Sequence, residues 1–200
     1  MGAYCEMREL KSVEEKILDR ALYLIGKNKT MDVPVRAIAK EANVNVSAIN
    51  YYFRSKEEML KQVRQFYLTN TESVVVILNN KEYGNEEKLI LAANEIMEYM
   101  LRFPGVTVIL REALKNNEND EISTLIVNEN NNMYKKIERL LEEITIDNKM
   151  PLQHKMAIFM ASITHIIENN DIMDFNRGAI DAKEDRIEFI QNLIKILKTA

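Results

Sequence analysis

Scarcity is the first informative property of this 200-residue sequence: one cysteine, no tryptophan, three prolines and five glycines. A lone thiol, Cys5, forms neither an intrachain disulfide nor a thiolate metal cluster, and a reducing compartment suits it. So few glycines and prolines disfavour an all-β sandwich, which needs turn residues every few positions. The longest aliphatic run, Val74-Val75-Val76-Ile77-Leu78, falls far short of the roughly 20 apolar residues of a spanning helix, so no membrane partner is expected. Glu6 and Glu9 and the absence of an apolar stretch argue against a signal peptide, and Glu6 stands where a myristoylation start would carry Ser or Thr. The expected location is the cytoplasm.

Catalytic constellations are equally scarce. His154 and His165, the two histidines, lie 11 residues apart, about 16 Å along a helix, too far to share a metal. His165 and Glu168 at i, i+3 supply two ligands, but no second such pair exists to complete a di-iron bundle. Cys5 sits in a stretch expected to be a flexible tail, a poor place for a nucleophile. No phosphate-binding loop, dinucleotide fingerprint or Gly-Xaa-Ser-Xaa-Gly elbow is present. No catalytic residue, metal or cofactor is expected.

What the chain does have is helical periodicity. Apolar residues are 46% and charged residues 29% of the chain, enough for a core and a polar surface. From Val13, apolar positions at Ile17, Leu18, Ala21, Leu22, Leu24 and Ile25 follow one helix face. Ser12 and Glu15 form a capping-box pattern before it, and Gly26 and Asn28 mark its expected stop. Pro34 suits the first turn of a short second helix with Val35, Ile38 and Ala39 as its stripe, and Asn43 suits the left-handed residue after it. A third helix spans about Asn45 to Phe53, so the pair makes a helix-turn-helix. Ser55 caps a long helix to about Leu78, and the loop Asn79–Asn85 follows as a boundary. Five more helices are expected, at about Glu86–Phe103, after Pro104-Gly105 through Leu114, Glu121–Ile144, Leu152–Asn169 and Ala182–Lys198, with Asp147–Met150 and Asp171–Gly178 as loops. The fold class is all-α.

The net charge of −4 argues against nucleic acid until it is divided along the chain. Residues 1–26 carry −1. Residues 27–56 carry +4, from Lys27, Lys29, Arg36, Lys40, Arg54 and Lys56 against Asp32 and Glu41, and residues 57–200 carry −7. Phosphate attraction acts within a Debye length of roughly 8–10 Å, so the local balance decides.

The basic stretch coincides with a motif. Ile38-Ala39 with Ala42, then Tyr51-Tyr52-Phe53, then Ser55-Lys56-Glu57 with Leu60, lie in register with the DNA-binding region of one family. Over about residues 12–62 the sequence resembles the TetR family of transcriptional regulators. Asn43 replaces the usual turn glycine and Asn50 a common tyrosine. Asn also visits the left-handed region, so the turn survives.

Such a motif lays its second short helix in the major groove with its N-terminal residues at base edges. Asn45, Val46, Ser47, Asn50 and Tyr51 are expected to face DNA, with Asn50 suited to adenine and Val46 to a thymine methyl. Tyr52 and Lys56 are candidate phosphate contacts, and Arg36 a contact to phosphate or base. Ile38, Ala39, Val44, Ile49 and Phe53 are expected core.

The resemblance further implies a homodimer and a small-molecule effector pocket. It divides the chain into an N-terminal tail with a three-helix DNA-binding domain, residues 1–56, and a connecting helix with a larger helical ligand-binding and dimerisation domain, residues 57–200. Wide apolar stripes on the last two helices, from Met156 to Ile167 and from Ile187 to Leu197, suit a two-fold interface. Candidate ligand-contacting residues are Asn94, Met97, Met100, Leu101, Phe103, Leu110, Leu125, Met133, Tyr134, Phe159 and His165, soft apolar walls with a few polar groups. The function implied is a repressor released from a palindromic double-stranded DNA operator by a small, largely apolar ligand. The alternative is a helical scaffold or adaptor that has lost DNA binding.

Overall fold

The computed structural model describes residues 12–104, 106–146, 148–169 and 180–199, the side chain of Asn70 apart. The Cys5 tail, the Asp171–Gly178 loop and Gly105 lie outside the described residues. Among the described residues nine α-helices form in chain order: α1 Val13–Asn28, α2 Val35–Glu41, α3 Val46–Phe53, α4 Lys56–Asn79, α5 Asn85–Arg102, α6 Val106–Asn116, α7 Glu121–Ile144, α8 Leu152–Glu168 and α9 Lys183–Thr199. No helix among the described residues is long and apolar enough to cross a membrane.

The described chain divides into two compact units. One comprises residues 12–71 and 103–129, the other residues 72–102 and 130–199. In the first unit α1 packs on α2 and α6, and α2 on α3. Local chemistry sets its helix ends. The Ser12 hydroxyl accepts a hydrogen bond from Glu15 N–H at 3.1 Å, starting α1. After α1, Lys29 is left-handed (φ 53°), and Thr30 N–H returns to the Ile25 carbonyl at 3.2 Å. After α2, Asn43 takes the same conformation (φ 53°), and Val44 N–H returns to the Ala39 carbonyl at 2.9 Å. Both are six-to-one closures that satisfy orphaned carbonyls at a helix end.

Of the two residues expected to mark the end of α1, Asn28 is the last helical residue, while Gly26 has a different role. It lies two residues inside the helix, where a Cβ would stand 1.6 Å from the Pro104 carbonyl oxygen. Glycine is there because another backbone passes directly over it. The core of this unit draws on Ile17, Ala21, Leu22 and Ile25 of α1, Ile38 of α2, Ile49 and Phe53 of α3, and Met59 and Val63 of α4, all essentially inaccessible to water. Full burial of each such side chain contributes about 1.5–3 kcal/mol. Val44 is half-buried rather than fully enclosed, because it sits in the exposed turn between α2 and α3.

In the second unit α5 packs on α8 and α9, which also pack on each other. Leu89, Ala93 and Met97 of α5, Phe159 and Ile163 of α8, and Ile190 and Ile194 of α9 are buried. Buried polar groups join helix ends within this core. Lys155 Nζ donates to the carbonyls of Thr145 and Asn148, both at 2.9 Å, and Asn148 Nδ2 donates to the Leu197 carbonyl at 2.6 Å. A cation beside carbonyls just past the end of α7 sits at the favourable end of that helix's dipole.

Candidate nucleic-acid interface

The third helix begins at Asn45, whose side-chain oxygen accepts from Ala48 N–H at 2.8 Å. Ser47 Oγ donates to the same oxygen at 2.5 Å. Asn45 therefore acts as an N-cap, with its amide nitrogen and the Ser47 hydroxyl on an exposed rim. Ile49 and Phe53, four residues apart, turn into the core at 2% and 1% exposure. That anchoring fixes the opposite face outward: Val46, Ser47, Asn50 and Tyr51 are all exposed, Tyr51 at 81%. Tyr52 is less exposed. Its ring meets Tyr51 edge-on at 5.2 Å and lies 6.3 Å from the Phe53 ring.

A sharp turn joins α3 to α4. Arg54 has φ 60° and ψ −43°, outside the ordinary left-handed well, which a side chain adopts at a cost of about 1–3 kcal/mol. Ser55 then caps α4, its hydroxyl accepting from Glu58 N–H at 3.1 Å. Lys56 is the first residue of α4, and its ammonium lies 2.5 Å from Asp32 Oδ1. Arg36, exposed near the start of α2, and exposed Arg54 add positive charge to the same segment. All eight sequence-expected contact residues thus lie within the stretch from α2 to the start of α4, and all but the half-buried Lys56 are exposed. Asp32 and Arg54 were not among them. The positive φ of Arg54 has no sequence signature, while a carboxylate 24 residues before Lys56 meets it only through the fold.

The ligand-contact candidates are dispersed. Phe103, Leu110 and Leu125 belong to the first unit; Phe103 is buried, Leu110 half-buried and Leu125 exposed at 44%. In the second unit Met97, Met100 and Phe159 are buried, and Leu101 and Met133 half-buried. Asn94 is also buried, its side-chain oxygen accepting from Arg186 Nε at 3.0 Å. Arg186 also donates to the carbonyls of Ile180 and Asp181 at 3.0 Å, and lies 3.5 Å from the Glu98 carboxylate. His165 is exposed near the end of α8, its Nδ1 3.0 Å from Asn169 Nδ2. Tyr134 lines an open groove of about 620 Å³ between α7 and α8, with Lys135, Glu138, Met156 and Met160. Burial pushes the Tyr134 phenol above its ordinary pKa, reinforced by the Glu168 carboxylate and opposed by a hydrogen bond with Asn130.

A further contact ties α4 to the start of α7 inside the first unit. Asp120 Oδ2 accepts from Ser123 N–H at 2.9 Å and from Ser123 Oγ at 2.5 Å, and Arg64 approaches it at 2.5 Å. The Ser123 hydroxyl first, with its N–H and Arg64, holds the Asp120 carboxyl below the usual carboxylate range against the opposing effect of burial. The Asp-Xaa-Xaa-Ser spacing at 120–123 is a capping signal readable in the sequence.

Residues 17–63 match the family described as bacterial regulatory proteins, tetR family. The chain is 30% identical over 90 residues to the "Probable HTH-type transcriptional regulator YttP" of Bacillus subtilis (strain 168), a match spanning 44% of each protein. Among solved structures it resembles a TetR-like transcriptional regulator from a Rhodococcus species, with a TM-score of 0.63, 13% identity and coverage of 94% of this chain and 97% of that one. It also resembles a TetR-family member from Streptomyces coelicolor, SCO3833, with a TM-score of 0.62, 14% identity and coverage of 99% and 96%. These structural likenesses speak for the fold, all-helical with an N-terminal helix-turn-helix, and the local match speaks for the segment that carries the exposed face of α3. Residues 17–63 thus carry the N-terminal segment of the tetR family of bacterial regulatory proteins, within a chain whose fold is similar to that of TetR-like regulators.

Proposed function

We propose that this protein is a DNA-binding transcriptional regulator that reads the major groove with α3. The observation that carries the proposal is the two-sided character of that helix: Ile49 and Phe53 are locked into the core while Val46, Asn50 and Tyr51 stand exposed on the other side. Asn50 offers a two-point contact to adenine N6 and N7, and Val46 an apolar contact to a thymine methyl. Arg36, Asn45, Ser47, Tyr52 and Lys56 complete the surface, with Tyr52 and Lys56 directed to phosphates. In this reading residues 1–56 bind DNA and residues 57–200 connect, dimerise and sense.

The active form is proposed to be a homodimer formed through α8 and α9. Supporting it are Ile158 on α8 and Ile196 on α9, exposed at 40% and 59%. Two-fold symmetry then sets the recognition helices one DNA turn apart, about 34–36 Å, and demands a palindromic operator. The proposed mode is repression relieved by a small, largely apolar ligand, a reading supported by the open groove between α7 and α8 that Tyr134, Met156 and Met160 line. Ligand would favour a disposition of the DNA-binding domains that no longer fits successive grooves. A coupling of about 1–3 kcal/mol changes operator affinity about 5–150-fold.

The test is selection of duplexes from a random pool, followed by anisotropy titration and sedimentation of the complex. A palindromic consensus bound by two chains is expected. Failure to enrich any duplex overturns the DNA-binding reading and returns the protein to a helical adaptor. Enrichment of an asymmetric site bound by one chain overturns the dimer.

A further inference from the structure

Lys56 combines two features of a phosphate contact: an ammonium and a place in the first turn of a helix, where the dipole is positive. In this structure an anion is already there. Asp32 Oδ1 lies 2.5 Å from Lys56 Nζ. The Asp32 side chain is 90% exposed and that of Lys56 29% exposed, so the pair is open to solvent on the carboxylate side. The Asp32 backbone N–H donates to the Thr30 hydroxyl at 3.1 Å, which fixes the turn presenting the carboxylate. The hydrogen bond and charge of Lys56 hold the Asp32 carboxyl below its usual range, keeping it ionised at neutral pH. The neighbouring acid, Glu57, is engaged by its own backbone N–H and the Ser55 hydroxyl.

Resting on the DNA-binding reading, we infer that Asp32 is an intramolecular competitor of DNA phosphate for Lys56. It sets how much of the Lys56 charge any duplex can use. While the pair is closed, the two charges cancel and Lys56 displaces no counterion from DNA. A phosphate reaching the start of α4 must replace the carboxylate. An exposed ion pair is weak enough to be replaced, and its dissolution is felt as lower affinity for every duplex regardless of sequence.

The experiment is an anisotropy titration of the full chain on a labelled mixed-sequence duplex of about three helical turns, across roughly 50–200 mM salt. Wild type, Asp32→Asn, Lys56→Ala and the double variant form a cycle. Asp32→Asn is expected to bind about 3–10-fold tighter at the lowest salt, with a salt slope steeper by about 0.9 per DNA-binding domain. In the Lys56→Ala background the same substitution is expected to gain less than about twofold. An equal gain in both backgrounds overturns the inference, because the effect would then be a general change of charge. Weaker binding by Asp32→Asn also overturns it, showing that Asp32 positions Lys56 rather than occupying it. If wild type binds no duplex at any salt, the DNA-binding reading itself fails; if wild type binds and Asp32→Asn matches it, only the competitor fails.

Discussion

Polar side chains are used in opposite ways in two parts of this molecule. On α3 they stand at the surface: Asn50 and Ser47 are exposed beside Tyr51, itself exposed at 81%. In the second unit they are enclosed: Asn94 and Arg186 are each 4% exposed, Lys155 5% and Asn148 8%, and each has a partner within the unit. Buried polar groups are costly without partners, so an enclosed polar group is first of all part of the fold's own hydrogen bonding. An exposed one beside an uncovered aromatic is free to meet something else. Location, rather than residue type, separates side chains left open to a partner from those that support the fold.

The sharpest way to break the comparison is to cut the enclosed network. Arg186→Met leaves the Asn94 oxygen and the Ile180 and Asp181 carbonyls without that donor and is expected to cost about 3–5 kcal/mol in urea unfolding. Adding Asn94→Leu should recover part of that loss; no recovery would mean that Asn94 is not a stranded partner. Next in size is Gly26→Ala, which drives a methyl into the Pro104 carbonyl and is expected to lower stability by about 1–3 kcal/mol, read as a fall in Tm. Asn50→Ala tests the exposed side. Unfolding should change by no more than about 0.5 kcal/mol, while preference at one operator position weakens by about 1–3 kcal/mol in competition binding. Equal binding of every base variant by wild type and Asn50→Ala would remove Asn50 from the reading surface.

The smallest effect concerns Asp120, a polar group between these extremes. Its folded pKa lies below the unfolded value, so its contribution to stability is present above the unfolded pKa and is lost as pH falls through the folded one. Asp120→Asn is therefore expected to flatten the acid limb of the stability profile and to change the slope little above neutrality. Acid titration of unfolding midpoints for both proteins checks this, and parallel acid limbs would refute it.

The legibility of the sequence follows the same division. The caps at Ser12, Asn45 and Ser55 and the left-handed Asn43 are short-range events, each written within a few residues of its effect. That is why helix bounds in the N-terminal segment fall within a residue or two of expectation. The exposed face of α3 is legible for the same reason: Ile49 and Phe53 at i, i+4 dictate which side of an eight-residue helix is left outside. Asn94 illustrates the opposite case. As an isolated asparagine among methionines it reads as a pocket group, but its partner is 92 residues further on, and no periodicity announces such a pairing. Gly26, with Asn28, reads as a terminator because glycine near a helix end usually is one; α1 does end at Asn28, but the Pro104 backbone passing over Gly26 is a tertiary fact.

That passing backbone has a mechanical consequence. Side chains between helices act as cushions, because rotamers can absorb a displacement of several tenths of an ångström. Where the Pro104 carbonyl crosses Gly26 there is no cushion, and neither partner has a rotamer to change. A displacement of the segment that leads into α6 would meet α1 directly, within the same unit that presents α3. Gly26 is the surface on which that displacement would bear, and a methyl group there would hold the two backbones apart.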